Sequence, residues 1–427
     1  MVVRLNLRNL RWRLAFGILV LAGVLLLTVI IVSRFVIGTL ADDRFAVTRG
    51  MVAVPATYFP NSARLNWRLA SAELSESDRD LASAKAHAER AIALSPFDYR
   101  LRITLASIEE ARGDRAAAET SLEAARDLAP HYWNVHYRLG NLLVREGKLE
   151  PAVDEFRIAA AANSKLLPGA LDLFWRASQG DIRLLKTIAG DRAKAKLTLA
   201  QFLMSVSRPS EAATTFGSID RAARLASSSE SSAFLNSLVA AGQVQLAREL
   251  WSETAGGERQ STIIGNSGFE LDLLKDFGQF DWQLGRSEYA RISIDPSVAH
   301  GGSRSLKIEF AGRDTTQLDN EVRQLVLLRA GARYVLECFA KPNGLESPEG
   351  PRLVVANMVS GAWIAASEPV PQGSGDWQRL AVDFVAPQSS NGGMSAVAVS
   401  IKRKPKFSYD EPTRGTVWFD DFSMKEQ

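Results

Sequence analysis

The chain carries acidic, imidazole and thiol side chains, but their spacing matches no familiar catalytic site. Glu109 and Glu110 are adjacent, and adjacent helical residues point about 100° apart, so they do not face one substrate. A glycosidase needs two carboxylates across a cleft. The sequence also lacks the G-x-S-x-G, H-E-x-x-H, glycine-loop and paired-cysteine motifs. The remaining candidate groups are widely scattered: His87, His131, His136, His300 and Cys338. We therefore expect no enzymatic activity, with unrecognised chemistry as an alternative.

Length and composition set broad limits on the function. The 427 residues correspond to two or three domains, and 46% hydrophobic with 23% charged residues is typical of globular proteins. A net charge of +3 is too small to indicate nucleic-acid binding. One cysteine excludes an internal disulfide but does not identify a redox compartment.

Leu14–Ser33 is an uncharged apolar segment of 20 residues. As a helix it would be roughly 30 Å long, which matches the hydrocarbon core of a bilayer. Four arginines and no acidic residue precede it, namely Arg4, Arg8, Arg11 and Arg13. Basic residues also follow the segment, up to Arg49, but the acidic Asp42 and Asp43 lie among them. This bias predicts a cytoplasmic N-terminus.

A segment of this kind is a buried soluble helix, a cleaved signal peptide or a retained anchor. A buried soluble helix is seldom so uniformly apolar, and a cleaved signal peptide has a shorter apolar core and a small-residue cleavage site. We therefore expect a retained single-pass anchor at residues 14–37, after a cytoplasmic segment at 1–13. The bulk of the chain would then lie outside the cytoplasm, in the periplasm of a Gram-negative cell.

The middle of the chain repeats with a period of 34 residues. The turn glycines Gly113 and Gly147 are 34 apart, as are six further pairs: Pro96/Pro130, Leu105/Leu139, Ala106/Gly140, Ala118/Ala152, Leu122/Phe156 and Ala125/Ala159. This period is typical of helix–turn–helix solenoids. The pattern predicts helices over 63–256 after a linker at 38–62, with an irregular helix pair around Leu171–Ala189.

These repeats resemble the tetratricopeptide repeat, most fully from Trp133 to Ser164. The resemblance implies a solenoid whose surface binds a protein partner. The larger aromatic side chains of this region are expected in its core: Trp67, Trp133, Phe156, Phe174 and Trp251.

From residue 262 onward, apolar and polar residues alternate. Examples are Ser305–Phe310, Tyr334–Cys338 and Val397–Ile401, separated by segments rich in Gly, Pro, Asn and Ser. Short strands at this spacing predict a β-sandwich over 262–427. Cys338 is expected inside it as a small buried hydrophobe.

The motifs of this region resemble the carbohydrate-binding jelly-roll modules of xylanases and glucanases. The motifs in chain order are Asn266-x-Gly268-Phe269-Glu270, Trp282, Gly302-Ser303-x-Ser305-Leu306-Lys307, Gly331-x-x-Tyr334, Phe339-x-Lys341, Trp377, Phe384-x-x-Pro387 and Val417-Trp418-Phe419-Asp420-Asp421. The resemblance implies a structural calcium ion at Glu270 and Asp421. Alternatively, Glu270 caps a turn and the aspartates face solvent.

Sugar binding needs exposed aromatic rings that stack on pyranose rings. Trp282, Trp377 and Trp418 match framework positions of these modules. The candidates that remain are Trp363, Tyr289, Phe407 and Tyr409, of which Trp363 is preferred.

A basic cluster adjoins Phe407 and Tyr409. It consists of Lys402, Arg403, Lys404 and Lys406. The cluster can bind an anionic polysaccharide or phospholipid headgroups. The preferred interpretation is a solvated strand end that discourages pairing with another sheet edge.

The sequence thus predicts a multidomain protein with a transmembrane helix, an all-α solenoid and an all-β jelly-roll sandwich. The expected function is a non-catalytic cell-envelope scaffold that binds a protein partner and, through the sandwich, polysaccharide or protein. The alternatives are a pure protein–protein scaffold that binds no sugar and an enzyme with unrecognised chemistry. The cell-envelope location is inferred from the combination of domain types and not from a functional site.

Overall fold

The structure, a computed structural model, describes residues 10–40, 48–76, 80–257, 262–358, 361–388, 393–407, 409 and 411–427. The chain divides into two compact units, Met1–Gly190 and Asp191–Gln427. The first is all-α, and the second combines helices with a β-sandwich. This confirms the predicted fold class.

The first unit begins with a long apolar helix. Over Arg13–Ser33 this helix is apolar and long enough to cross a membrane, and that stretch is not buried in the protein. The second helix of the unit falls within the segment 38–62. The α-helices among its described residues are α1 Leu10–Leu40, α2 Arg49–Tyr58, α3 Ala63–Ser75, α4 Leu81–Leu94, α5 Tyr99–Ala111, α6 Arg115–Leu128, α7 Trp133–Arg145, α8 Leu149–Ala162, α9 Leu167–Ala177 and α10 Ile182–Ala189.

Helices α3 to α8 form three helix–turn–helix pairs. Between α5 and α6, Gly113 has φ +84°, and between α7 and α8, Gly147 has φ +77°. This left-handed conformation favours glycine. Asp114 then caps α6 by accepting a hydrogen bond from the Ala117 N–H at 3.1 Å. The repeated glycines therefore form the predicted turns.

The repeated apolar residues form the core between the helices. At the positions 34 apart, Leu105, Leu122 and their counterparts Leu139 and Phe156 are all buried. The expectation for the larger aromatics holds in part. Phe156, Phe174 and Trp251 are buried, whereas Trp67 and Trp133 are half-buried. The prediction of core positions was wrong for these two tryptophans. The Trp67 indole lies between α3 and α5, where Nε1 donates to Thr104 Oγ1.

The second unit opens with five helices and continues as a sandwich of two antiparallel sheets. The helices are α11 Ala193–Ser205, α12 Pro209–Gly217, α13 Arg221–Ala226, α14 Ser228–Ala240 and α15 Val244–Trp251. The strands are β1 Gln283–Leu284, β2 Ala290–Asp295, β3 Ser305–Arg313, β4 Val322–Arg329, β5 Arg333–Glu346, β6 Arg352–Asn357, β7 Trp363–Ala366, β8 Gln378–Val385, β9 Met394–Lys402 and β10 Thr413–Glu426. Sheet A has the order β1-β4-β9-β6-β7, and sheet B has the order β2-β3-β10-β5-β8.

Alternating side chains of the two sheets form the sandwich core. Leu306, Ile308 and Phe310 of β3 are buried, and strands β5 and β9 contribute Tyr334, Leu336, Cys338, Val397, Val399 and Ile401. Each of these runs has the predicted period of two residues. Cys338 is buried as expected, and burial raises the pKa of its thiol.

Candidate functional site

Trp363 lies at the start of the edge strand β7, on the outer face of sheet A. It pairs with Ala356 of β6, whose neighbours Leu353 and Val355 point into the core. The Trp363 side chain is 36% exposed, and the Lys404 ammonium lies 4.9 Å from its ring centroid. An exposed indole beside a cation is available for stacking against a ligand.

The other three predicted aromatic residues lie outside strand β7. Phe407 and Tyr409 follow β9 and are strongly exposed, with Lys406 Nζ 5.8 Å from the Phe407 ring centroid. Tyr289 is half-buried and directly precedes β2, which belongs to sheet B. The structure therefore places Trp363 and Tyr289 on different sheets.

The basic cluster beside these aromatics is divided between interior and surface. Lys402 is buried and donates to Asp319 Oδ1 at 2.7 Å. Arg403 is buried and donates to the carbonyl oxygens of Glu349 and Thr316. A solvated strand end was therefore the wrong interpretation for Lys402 and Arg403, because their polar ends are satisfied by neighbouring loops. Lys404 and Lys406 do remain exposed.

The middle of the outer face of sheet A carries aliphatic side chains and faces helices α14 and α15. A cavity of about 340 Å³ is lined by Asn236 and Val239 of α14 and by Leu325 and Ala398 of the sheet. A second cavity, of about 510 Å³, is lined by Leu246 of α15 and by several residues of the sheet, among them Leu327, Met394 and Ala396. The sequence analysis missed this arrangement, because no local pattern specifies which helix faces a sheet.

A buried junction holds α14 and α15 against the sandwich. Trp251 at the end of α15 donates from Nε1 to the Phe277 carbonyl at 2.7 Å, and its ring contacts Phe280 at 5.6 Å. Arg248 lies over both rings, and burial lowers the pKa of its guanidinium. The last repeat helix therefore packs into the sandwich through specific buried contacts.

Glu270 and Asp421, the predicted calcium ligands, both contact the loop His300–Arg304. Glu270 accepts hydrogen bonds from the Ser303 N–H at 2.8 Å and the Arg304 N–H at 2.9 Å. These bonds, that from Ser303 foremost, lower the pKa of Glu270. Asp421 Oδ2 lies 2.6 Å from His300 Nδ1. The structure thus brings the two predicted residues to one loop.

In this arrangement protein N–H and O–H groups bond the carboxylate oxygens of the predicted calcium site. Calcium takes six to eight oxygen ligands, whereas here N–H and O–H groups point at the oxygens of Glu270 and of the buried Asp420. Within the ranges that the structure describes, no group of three or more His, Cys, Asp or Glu residues is arranged to hold a metal ion. Calcium binding therefore stays a prediction of the family resemblance.

His300 belongs to an aromatic cluster on sheet B that the sequence analysis missed. Its ring stacks on Phe339 at 3.8 Å and meets Trp377 edge-on at 5.5 Å. Burial raises the pKa of the adjacent Asp420, whose Oδ2 accepts the His300 N–H at 2.8 Å. His300 and Asp421 are 121 positions apart, so no spacing rule could have joined them.

In the first unit, the first helices of the three pairs present a continuous polar surface, here called the first-helix face. Trp67 of α3 donates to Thr104 of α5 at 2.7 Å. Arg138 of α7 donates to Ser107 of α5, and Arg145 of α7 pairs with Glu110. These contacts place Trp67, Thr104, Ser107, Glu110, Arg138 and Arg145 side by side across α3, α5 and α7. The face is suited to holding an extended peptide or a second protein.

Comparison with known proteins adds fold likeness only. No protein-family model and no curated protein matches the chain. A solved structure of MamA is similar over 40% of this chain and 83% of its own, at 13% identity and TM-score 0.27. A CBM4 structure is similar over 38% and 99%, at 20% identity and TM-score 0.28. A putative sugar binding protein from Bacteroides thetaiotaomicron VPI-5482 is similar over 39% and 100%, at 12% identity and TM-score 0.28. At such TM-scores, function has to be argued from the residues of this chain.

Proposed function

We propose that the chain is a membrane-anchored, non-catalytic scaffold of the cell envelope. The observation that carries the proposal is the stretch Arg13–Ser33, over which the apolar side chains are exposed. Exposed apolar area of this size is unfavourable in water and favourable in a bilayer. The helical pairs and the sandwich follow this helix and would be held at the membrane surface.

In this proposal the first-helix face binds a protein partner. Its support is chemical, because the face combines half-buried Trp67 with hydroxyl, carboxylate and guanidinium groups that can bond a polypeptide backbone. Arg138 is exposed there and accessible to a partner. Arg157 on α8 is an exposed arginine away from this face.

The sandwich binds polysaccharide at the open edge of sheet A. The exposed ring of Trp363 supports this assignment, because a sugar ring can stack on it while Lys404 contacts hydroxyl or carboxylate groups. Trp363 begins β7, the edge strand of sheet A, and Lys404 follows β9.

The test is retention of the full chain, in detergent micelles, on immobilised polysaccharides. Trp363→Ala removes the stacking surface, so we expect retention to fall by about tenfold, equivalent to roughly 1–2 kcal/mol for one stacked ring. Phe97→Ala is the matched control, since Phe97 is an 84% exposed aromatic of the repeats. Equal retention of both variants and the wild type would refute the Trp363 site.

A pure protein–protein scaffold is the second candidate. It is favoured by the first-helix face, where half-buried Trp67 and exposed Arg138 can bind a protein without any sugar. This candidate predicts that the wild type is retained on none of the polysaccharides, while partner capture from membranes still depends on Arg138 and not on Arg157.

A further inference from the structure

A row of adjoining cavities begins where α14 meets the start of the sandwich. The first cavity, of about 530 Å³, is here called the polar chamber, because its lining includes Asn236, Lys275, Asp276, Asn320 and Arg323. It adjoins a second cavity of about 340 Å³, which shares the lining residues Asn236, Gln279, Gln283 and Arg323. Both volumes lie in the range of small-molecule sites, about 300–1,000 Å³.

The second cavity continues between sheet A and the helices α14 and α15. Met358 lines this cavity and a third one of about 510 Å³, while Leu327 and Met394 line the third and a fourth one of about 340 Å³. The second, third and fourth cavities are here called the aliphatic channel, because their lining includes Val239, Leu246, Leu325, Leu327, Met358 and Met394. Unbranched methionine side chains adapt to apolar ligands of varied shape.

Strands β4 and β9 form the floor of the aliphatic channel. Leu325 pairs with Ala398 and Leu327 pairs with Ala396. Val326, between the two leucines, points into the sandwich core, so all four of these side chains point outward. The two leucines are only half-buried, and the alanines opposite them leave room above β9.

The floor has no backbone groups to offer a peptide. Strand β4 lies between β1 and β9, and β9 lies between β4 and β6, so the backbones of both strands are paired on both sides. A peptide in the channel would leave its own N–H and C=O groups without partners. A hydrocarbon chain carries no such groups and therefore fits the channel better.

The length of the channel matches an acyl chain. Arg323 lines the polar chamber and Leu327, four residues later on β4, lines the far part of the channel. This distance is about 14 Å at about 3.4 Å per residue. An acyl chain of one leaflet spans about 15 Å, which is half of the hydrocarbon core of a bilayer. The lining becomes polar again beyond Leu327, where Arg248 and Glu249 carry opposite charges.

Two cations of the polar chamber have no counter-ion. Lys275 and Arg323 are exposed in its lining, and neither forms an ion pair within the residues that the structure describes. Arg323 Nε donates to Gln283 Oε1 at 2.9 Å, which leaves the other guanidinium N–H groups for a ligand. The Asp276 carboxylate accepts a hydrogen bond from Ser228 Oγ at 2.8 Å. The chamber is therefore complementary to an anionic group such as a phosphate.

We propose that the polar chamber and the aliphatic channel together bind an anionic phospholipid. The phosphate lies beside Lys275 and Arg323, and an acyl chain lies along Leu325 and Leu327. The inference rests on the proposed membrane anchoring, because an anchored chain meets phospholipid, but it assigns a site that is separate from the anchor and from Trp363.

The test uses the full chain with ¹³C in the methyl groups of its six methionines, held in amphipol so that free detergent does not fill the channel. Met358→Leu and Met394→Leu identify the two channel signals by absence. The probe is phosphatidylglycerol with a nitroxide on one acyl chain, and the reference is the same sample after reduction of the nitroxide. We expect the nitroxide to broaden the signals of Met358 and Met394 and to leave Met204 of α11 unchanged.

Ala398→Phe fills the channel beside Leu325 and should weaken binding of the probe by at least about tenfold. Ala381→Phe is the matched control, because Ala381 has the same outward position on β8 of sheet B, between the core residues Leu380 and Val382. The control should bind the probe like the wild type. Wild-type broadening in Ala398→Phe would mean that the lipid binds outside the channel, and would overturn the inference.

Arg323→Gln and Lys275→Gln test the headgroup and change only exposed side chains. Each should weaken binding of phosphatidylglycerol about fivefold, the effect of one cation facing an anionic lipid. Unchanged affinity in both variants would overturn the assignment of the headgroup. Broadening by nitroxide-labelled stearic acid but not by phosphatidylglycerol would assign the channel to free fatty acids and overturn the phospholipid.

The outcomes separate this inference from the proposed function. If phosphatidylglycerol broadens neither Met358 nor Met394, the lipid site is refuted, while retention on polysaccharides and the retained anchor are still decided by their own tests. A chain that takes up the probe but is found in cells without residues 1–13 would refute the anchor and support the lipid site.

Discussion

Glu109 and Glu110 show how two adjacent carboxylates of one helix take different roles. Glu109 is buried, accepts from Ser121 Oγ at 2.7 Å and lies 3.3 Å from Lys85 Nζ. Glu110 points to the first-helix face and pairs with Arg145. The buried carboxylate thus connects α4, α5 and α6, whereas its neighbour connects α5 and α7 near solvent.

We predict different stability changes for the two glutamates. Glu109→Ala leaves the buried Ser121 hydroxyl without its acceptor and should destabilise the repeats by about 1–3 kcal/mol. Glu110→Ala removes a partly exposed ion pair and should change stability by about 0–1 kcal/mol. Thermal melting followed by far-UV circular dichroism measures both. Equal effects of the two substitutions would show that the Glu109 network is not structural.

At the scale of elements, helix pairs are predictable where one repeat contains its own contacts. The turn glycines, the capping Asp114 and the apolar stripes are local features, so the sequence indicates helices α3 to α8. Strands β3, β5 and β9 likewise follow from alternation. The junction of α15 with the sandwich was not predictable, since it depends on Trp251 meeting Phe280, two residues whose local patterns are unrelated.

The same limit applies to the candidate sites. The exposed edge position of Trp363 agrees with its place just after Gly361, whereas the burial of Arg403 depends on carbonyl groups from loops 54 and 87 positions away. The surroundings of such residues depend on contacts between segments that are distant in the chain, so local sequence patterns do not predict them.

Helix packing also explains why Ala106 becomes Gly140 in the next repeat. A Cβ on Gly140 would lie 2.7 Å from Phe156 Cδ2, and Phe156 is held by Tyr137 and Phe174. The preceding pair has Ala106 with the smaller Leu122 at the matching position. A smaller residue on the first helix of a pair thus compensates for a larger residue on the second helix.

Gly140→Ala should therefore destabilise the first unit by about 1–2 kcal/mol, since overpacking outweighs the gain in helix propensity. Gly169→Ala in α9 is the control, because a Cβ there meets no atom within 4 Å and should stabilise by about 0.5–1 kcal/mol. Adding Phe156→Leu to Gly140→Ala should recover part of the loss. Chemical denaturation measures all three, and stabilisation by Gly140→Ala would contradict the packing argument.

At the scale of the whole molecule, the order of the parts along the chain determines where the proposed scaffold lies relative to the membrane. The apolar helix comes first, the repeat helices follow, and the sandwich ends the described chain. An anchor at one end lets every later binding surface act on the same side of a membrane. Orientation then decides which cellular partners can reach the first-helix face and Trp363.

Membrane orientation is the last prediction, and it depends on charge. A retained anchor with Arg4, Arg8, Arg11 and Arg13 on the cytoplasmic side places Gln427 outside the cytoplasm. Alkaline phosphatase fused after Gln427 should therefore be active, and a cytoplasmic reporter at the same point should be inactive.

Replacing the four arginines with glutamate should lower phosphatase activity severalfold, because the positive charges no longer hold the N-terminus inside. The matched control replaces Arg44 and Arg49 with alanine and should keep the activity, since the four arginines before the anchor are unchanged. Detection of peptides from residues 1–13 in the membrane fraction would show that the anchor is retained, and an active cytoplasmic reporter would overturn the envelope location.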